Sequence, residues 1–283
     1  MRTAVLTLCI ALAPEVNIMQ ATPAPIESGF APVNGIRMYY EVHGKKEGVP
    51  LVLLHGGGST IDSTFGRILP FLSAGRGVIA VEEQGHGRTS DRDQPFRFED
   101  SADDVASLLK YLGVERADVL GFSNGASVGL QLAIRHPGRV RKLIFAAAFT
   151  KKAGARPELW AMIRHADLSN MPQPLKDAFL KVNPDVDKLK TMHDKDAARM
   201  QTFPDVPDDA VRAVHAPTLI MMGDRDVATP EHTVELGRLF PNARLLVLPG
   251  FHGEYLGEVT VPITDKGYPE LTARLVSQFL AMP

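Results

Sequence analysis

A serine flanked by glycines is the strongest candidate nucleophile in the sequence. Residues 120–125 read LGFSNG and contain the pattern G-x-S-x-G, with Ser123 at its centre. This pattern is typical of a tight turn between a strand and a helix, where glycines two residues away on either side relieve steric crowding. A helix that begins near Asn124 would direct its positive end toward the site and favour developing negative charge. The pattern predicts that Ser123 attacks a carbonyl carbon.

A glycine-rich segment that precedes the serine is a candidate oxyanion site. Residues 55–58 read HGGG and follow an apolar run. Glycines let the backbone approach a tetrahedral intermediate, so we expect the N–H groups of Gly57 and Asn124 to stabilise the oxyanion. A phosphate-binding loop is the competing interpretation, but residues 56–60 lack its Gly-Lys-Ser/Thr ending. We interpret His55 as a structural residue of this loop.

Two carboxylates follow a later apolar run. Residues 218–222 are apolar, and the next four residues read GDRD, which offers Asp224 and Asp226. Either one could orient a histidine that serves as the general base.

A histidine follows the last apolar run. His252 comes directly after residues 245–248 and the tripeptide PGF. The order serine, acid, histidine is the order expected for a catalytic triad built on parallel strands, whose carboxyl ends converge at one edge of a sheet. We therefore predict that His252 takes and returns the proton of Ser123.

The elements that would position these residues alternate between strands and helices. Continuous apolar runs predict strands that are buried on both faces, and residues 36–42 alternate as a half-exposed strand does. The runs are residues 50–54, 77–81, 117–120, 142–149, 218–222 and 245–248. Residues 100–112 have helical spacing, with Ser101 and Asp104 as a possible capping pair. The order predicts an α/β fold with a doubly wound, mostly parallel sheet.

One segment interrupts the alternation. Residues 151–216 contain no buried-strand run, and prolines separate short helical patterns such as 158–167 and 175–182. We interpret this segment as a helical lid inserted into a single core domain formed by residues 22–150 and 217–283. Its methionines suit a small or medium uncharged acyl group. The predicted substrate contacts are Gly58, Phe122, Trp160 and Met162.

Residues from about 30 to 283 resemble the α/β-hydrolase superfamily, in its lid-bearing, single-domain form. The resemblance rests on residues 55–58, the segment EEQGHGRTS at 82–90, the Ser123 turn, GDRD at 223–226 and PGFH at 249–252. It implies a serine esterase with a nucleophile elbow and an oxyanion hole. It also favours Asp226 over Asp224, because the acid usually stands last in such a G-x-x-D turn. The aspartate-nucleophile members of the superfamily are disfavoured by Ser123.

The sequence departs from the family pattern at three places. Glu82 and Gln84 stand where aspartate and arginine are usual, which puts a structural contact near the site in doubt. Phe251 replaces the common glycine before the histidine. The acidic and aromatic stretch 254–258 has no family counterpart that we can assign, and either supports the histidine loop or brings Tyr255 to the substrate.

The resemblance implies hydrolysis of a small or medium carboxylic ester, or a lactone, through an acyl-serine intermediate. The same triad also serves proline-type aminopeptidases, carbon–carbon hydrolases and cofactor-free perhydrolases. A hydrolase-like ligand-binding receptor with little turnover is the alternative outside the enzymes. We expect a small-molecule substrate, no cofactor and no metal ion, because no corresponding motif is present. The acyl preference, the choice among ester, lactone and amide, and the oligomeric state stay open.

Composition and the first residues bear on the class of binding partner and on the location of the protein. The 283 residues are 45% hydrophobic and 23% charged, with 31 basic and 33 acidic residues, so no basic footprint for nucleic acid is present. A positive start, an apolar run of signal-peptide length and small residues near position 21 predict an export signal over residues 1–21. That run is too short for an integral membrane span. Cleavage would remove Cys9, and without cleavage we expect a cytoplasmic protein.

Overall fold

A single sheet of eight strands forms the centre of the protein. The computed structural model describes residues 24–262 and 264–283, so the predicted export signal and Cys9 lie outside the described residues. The strands are β1 (Glu27–Val33), β2 (Ile36–Gly44), β3 (Leu51–Leu54), β4 (Gly77–Val81), β5 (Ala117–Phe122), β6 (Val140–Ala146), β7 (Thr218–Gly223) and β8 (Ala243–Leu248).

The sheet is mostly parallel, as the apolar runs predict. Its spatial order is β1-β2-β4-β3-β5-β6-β7-β8. The pairs β1–β2 and β2–β4 are antiparallel. The other five pairs are parallel. The carboxyl ends of β3, β5 and β7 therefore lie at the same edge of the sheet.

The central strands are buried on both faces because successive side chains point to opposite sides. Val52 and Val119 belong to one hydrophobic cluster. Their neighbours Leu53 and Leu120 pair across β3 and β5 and belong to a second cluster on the opposite face. A continuous apolar run is what such a strand requires.

Helices cover both faces. They are α1 (Ile61–Phe65), α2 (Leu69–Ser73), α3 (Phe98–Tyr111), α4 (Asn124–Arg135), α5 (Pro157–Arg164), α6 (Gln173–Val182), α7 (Val186–Gln201), α8 (Asp208–Arg212), α9 (Pro230–Leu239) and α10 (Tyr268–Ala281). Buried residues of α3, α4 and α9 join the first cluster. Buried residues of α1, α2 and α10 join the second. The doubly wound α/β fold is confirmed. Within the described part of the chain, no helix has the length and apolarity needed to cross a bilayer.

Two local predictions need correction. The sequence analysis missed β1, an edge strand in which Ala31 and Val33 are buried and Pro32 interrupts the apolar pattern. Proline is tolerated there because an edge strand has one unpaired side. The predicted capping pair is also wrong, since α3 begins at Phe98 and no side chain caps its first turn. Ser101 instead donates a hydrogen bond to Glu83 at 3.1 Å.

Residues 151–216, which we call the insertion, contain α5 to α8 and no strand. The predicted helical segments correspond to α5 and α6. The longest helix of the insertion, the 16-residue α7, was not predicted. Its buried residues are Leu189, Met192, Asp196 and Arg199, so two charged side chains continue its apolar face.

Candidate active site

Ser123 lies on a strained turn between β5 and α4. Its backbone has φ 55° and ψ −122°, a conformation that residues with side chains rarely adopt. A Cβ on Gly121 would lie 2.2 Å from the carbonyl oxygen of Gly125. A Cβ on Gly125 would lie 2.2 Å from the carbonyl oxygen of Leu54. Both glycines of the pattern are therefore required sterically, and the turn presents Ser123 at the carboxyl edge of the sheet.

Asp226 is fixed by the backbone of its own turn after β7. Its side chain is buried, and its Oδ1 accepts the N–H of Val227 at 2.7 Å. Its Oδ2 accepts the N–H of Gly223 at 3.3 Å. The other carboxylate of the turn, Asp224, is exposed and accepts the N–H of Gly250 at 2.8 Å.

His252 joins the serine and the aspartate. Its Nδ1 lies 2.6 Å from Oδ1 of Asp226, and its Nε2 lies 3.2 Å from Oγ of Ser123. This geometry suits a neutral ring that donates from Nδ1 and accepts from the serine at Nε2. The structure thus brings together three residues that are separated by up to 129 positions in the chain.

The charge of Asp226 raises the pKa of His252. Burial lowers the pKa of the imidazole, but the negative charge and hydrogen bond of Asp226 outweigh it, and the net pKa lies above its usual value. The nearby carboxylate of Glu258 acts in the same direction. The ring of Phe122, a predicted substrate contact, packs against the imidazole with centroids 4.7 Å apart.

The glycine loop after β3 lies against Ser123. A Cβ on Gly56 would lie 3.4 Å from Cβ of Ser123. Among the described residues, neither the backbone N–H of Gly57 nor that of Asn124 donates a hydrogen bond. Both N–H groups are therefore available to a ligand oxygen.

His55 supports this loop from beneath. Its Nδ1 lies 2.8 Å from the carbonyl oxygen of Gly56, and its Nε2 accepts the N–H of Glu83 at 3.1 Å. Burial and the charge of neighbouring His86 lower the pKa of His55 to about 4, so the ring is neutral. A neutral ring is what an acceptor at Nε2 requires.

The remaining predicted substrate contacts lie in different surroundings. Gly58 donates its N–H to Asp196 of the insertion. Trp160 donates to the carbonyl oxygen of Lys152 at 2.9 Å and packs against aromatic rings at the base of the insertion. Met162 is 63% exposed on α5. Substrate contact by these three residues stays a prediction.

Glu82 and Gln84, which depart from the family pattern after β4, form hydrogen bonds with nearby residues. The buried carboxylate of Glu82 accepts hydrogen bonds from the backbone and the guanidinium of Arg88, each at 2.7 Å. The side chain of Gln84 donates to Asp91 at 2.7 Å. Glutamate and glutamine therefore hold the segment that follows β4 through contacts within that segment.

The stretch after His252 packs inward. Glu254 accepts the N–H of Phe251 at 3.0 Å, which braces the loop that carries His252. Tyr255 has no exposed surface and belongs to the second hydrophobic cluster. Phe251 is 49% exposed beside the site.

Asp196 is a residue of the site that the sequence analysis missed. It lies on α7, and its Oδ2 accepts the N–H of Gly58 at 2.6 Å. The signal that could have identified it is the spacing of Leu189, Met192, Asp196 and Arg199, which places two charges on the buried face of an amphipathic helix. Within residues 24–262 and 264–283, no group of three or more His, Cys, Asp or Glu side chains is arranged to hold a metal ion.

Comparisons with known proteins agree with this architecture. Residues 49–181 match the family described as alpha/beta hydrolase fold. A pimeloyl-[acyl-carrier protein] methyl ester esterase from Neisseria meningitidis serogroup C is 32% identical over 218 residues, which cover 69% of this chain and 83% of that protein.

Solved structures share the fold. The enol-lactonase from Burkholderia xenovorans LB400 has a TM-score of 0.69 at 21% identity, over 89% of this chain and 100% of that one. A meta-cleavage product hydrolase from Pseudomonas fluorescens IP01 has a TM-score of 0.68 at 20% identity, over 90% and 97% of the two chains.

Proposed function

The chain belongs to the α/β-hydrolase superfamily of enzymes, and we propose that it cleaves a small or medium carboxylic ester or lactone through an acyl-serine intermediate at Ser123. The observation that carries the proposal is the placement of His252 between Ser123 and Asp226, with Nε2 3.2 Å from Oγ of Ser123 and Nδ1 2.6 Å from Oδ1 of Asp226. The esterase relative, which shares 32% identity, supports carboxylic-ester chemistry.

Acylation begins when Oγ of Ser123 attacks the carbonyl carbon while Nε2 of His252 takes the serine proton. Asp226 holds the ring tautomer and stabilises the imidazolium that forms. The tetrahedral oxyanion accepts the N–H groups of Gly57 and Asn124. When the intermediate collapses, the carbon–oxygen bond of the ester breaks and His252 gives its proton to the leaving alcohol.

Deacylation repeats these steps with water as the nucleophile. His252 takes a proton from the water, the new intermediate collapses, and Oγ of Ser123 leaves with that proton. The products are a carboxylic acid and an alcohol, and for a lactone both groups stay in one molecule. The insertion serves as a lid over this reaction, a role supported by the bond from Gly58 to Asp196.

A fluorophosphonate probe and a substrate series test the proposal. We expect the probe to label the folded wild-type chain and not Ser123→Ala. Hydrolysis of p-nitrophenyl esters of graded acyl length should fall by about 10⁶-fold in the variant. Ser127→Ala, one turn further along α4, is the matched control and should keep the wild-type rate.

Two other results would contradict the proposed function. A folded wild-type chain that resists the probe and cleaves no ester, lactone, proline amide or carbon–carbon bond would support the ligand-binding receptor. Selective cleavage of proline amides or carbon–carbon bonds would move the reaction to another branch of the superfamily.

We also propose that the chain is exported, on the pattern of its first residues. Sequencing the amino terminus of the protein recovered from the producing cell tests this, and we expect a new terminus near position 22. A terminus at Met1 would contradict export.

A further inference from the structure

One carboxylate of the insertion reaches the glycine loop. Asp196 is 7% exposed, and its Oδ2 accepts the backbone N–H of Gly58 at 2.6 Å. The same oxygen lies 3.1 Å from Nε2 of His86. Because Gly58 follows Gly57 directly, this bond fixes the peptide next to a proposed oxyanion donor.

The second oxygen of Asp196 faces the nucleophile turn. Nδ2 of Asn124 lies 3.5 Å from Oδ1, at the outer limit of a hydrogen bond. Asn124 carries the other proposed oxyanion donor on its backbone. A single side chain therefore contacts both segments that would stabilise the oxyanion.

Cations compensate the buried charge. Arg199, one turn further along α7, pairs with Oδ1 of Asp196 and donates to Glu83 at 3.1 Å. Burial raises the pKa of Asp196, but the charges of Arg199 and His86 outweigh it and hold that pKa well below its usual value. The carboxylate is thus ionised. We call Asp196, Arg199, Glu83 and His86 the buried ion network.

His86 is a second basic partner of Asp196 in this network. Its Nδ1 lies 2.9 Å from the carbonyl oxygen of Gln84, and its Nε2 faces Asp196, so both ring nitrogens have acceptors. Burial lowers the pKa of His86, but the charge of Asp196 outweighs it and the net pKa is raised. The charged form of the ring is therefore favoured beside Asp196.

The fit between Asp196 and the loop leaves no room for a side chain. A Cβ on Gly57 would lie 2.9 Å from Oδ2 of Asp196 and 2.5 Å from Nδ2 of Asn124. Both oxygens of Asp196 already have protein partners. This arrangement suits a residue that holds the loop and does not suit one that binds the substrate.

We propose that Asp196 is a positioning residue, which holds the glycine loop and the Ser123 turn in the geometry that oxyanion stabilisation requires. The proposal rests on the proposed function. Preorganised donors act only when they are already aimed at the developing charge, and small displacements reduce the rate. Loss of one oxyanion donor costs about 10²–10³-fold in kcat, so loss of a positioning group should cost about 10- to 100-fold.

Two variants test this. Asp196→Asn keeps the shape and one acceptor oxygen, and should lower kcat less than the second variant does. Asp196→Leu with Arg199→Met removes both members of the ion pair together, so neither is left as an unpaired buried charge, and also removes the acceptor of the Gly58 N–H. For this double variant we expect kcat on the best ester to fall by about 10- to 100-fold with KM nearly unchanged.

A transition-state analogue separates positioning from general loosening. A trifluoromethyl ketone forms a tetrahedral oxyanion on Ser123, so its inhibition constant should rise by the factor that kcat/KM falls. Asp194→Asn, the same chemical change on the exposed face of α7, is the matched control and should alter neither value.

Two results would overturn the proposal and leave the proposed function intact. In the first, the double variant is folded and keeps both the wild-type kcat and the wild-type inhibition constant. In the second, KM rises while kcat is unchanged, which would make Asp196 a substrate contact. Failure of the proposed function looks different, because the wild-type chain itself would then react with neither the ketone nor any ester, and both proposals would fall.

Discussion

The carboxyl edge of the sheet and the insertion above it each contribute a buried aspartate, but they hold it in different ways. Asp226 is fixed by backbone N–H groups of its own turn, no more than three residues away. Asp196 is fixed by Gly58 and His86, which are 138 and 110 residues away. Local bonds place the first aspartate, whereas the packing of the whole insertion places the second.

This difference predicts how each region responds to mutation. A side chain held by its own turn can lose its charge while the backbone keeps its shape, so the effect should be confined to the rate. A side chain held by distant groups couples rate to stability, because its partners are left with unpaired buried charge. Changes at matched positions in the two regions can test this contrast.

The largest effect is expected at the sheet edge. Asp226→Asn should lower kcat by about 10⁴-fold, because the amide favours the wrong tautomer of His252. Ester hydrolysis at saturating substrate measures it, and thermal unfolding should show little change. Asp224→Asn, in the same turn, is the control. A larger loss in Asp224→Asn than in Asp226→Asn would reverse the assignment of the acid.

A smaller but global effect is expected in the insertion. Arg199→Met leaves Asp196 and Glu83 without their guanidinium partner and should lower the free energy of unfolding by about 3–5 kcal/mol. Urea denaturation measures this loss. Lys190→Met removes an exposed pair with Asp194 on the same helix and should leave the free energy of unfolding nearly unchanged, because solvent screens such a pair. Equal losses in the two variants would show that the buried ion network does not stabilise the insertion.

The same contrast explains what could be predicted from the sequence. Glycines and strand ends determine the local backbone at the Ser123 turn, the acidic turn and the histidine loop. A few neighbouring residues were therefore enough to predict each of these three segments. The apolar runs of the central strands predict the sheet for a similar reason. The distances among Ser123, Asp226 and His252 then follow from the convergence of parallel strand ends.

The insertion could not be predicted in the same way. The charges at Asp196 and Arg199 look solvent-exposed until the face that also carries Leu189 and Met192 is known to be buried. Their partners come from three other segments of the chain, and no local pattern identifies those. The choice of Trp160 and Met162 as substrate contacts used residue type alone, without knowledge of which side chains approach the glycine loop.

A specificity test compares two methionines of the insertion. Met171 is buried, and its Cε would lie 3.1 Å from a Cβ on Gly58, whereas Met162 is 63% exposed. Met171→Ala should open space beside the loop and shift the ratio of kcat/KM toward bulkier acyl groups by about tenfold. This ratio for two substrates does not depend on the folded fraction, so lost stability does not affect it. A larger shift in Met162→Ala would favour the sequence-based prediction.

The smallest expected effect concerns the second carboxylate beside His252. In the proposed mechanism the ring accepts the serine proton only when Nε2 is unprotonated, so kcat/KM should fall as pH drops through the pKa of His252, which Asp226 holds above its usual value. Glu258→Gln removes a negative charge that favours the protonated ring. The acid limb of the profile should therefore move to lower pH while the plateau stays the same. Glu231→Gln, exposed at the start of α9, should leave the limb in place. A limb that stays in place in Glu258→Gln would mean that the charge of the glutamate does not act on the ring, and that Asp226 alone raises the pKa of His252.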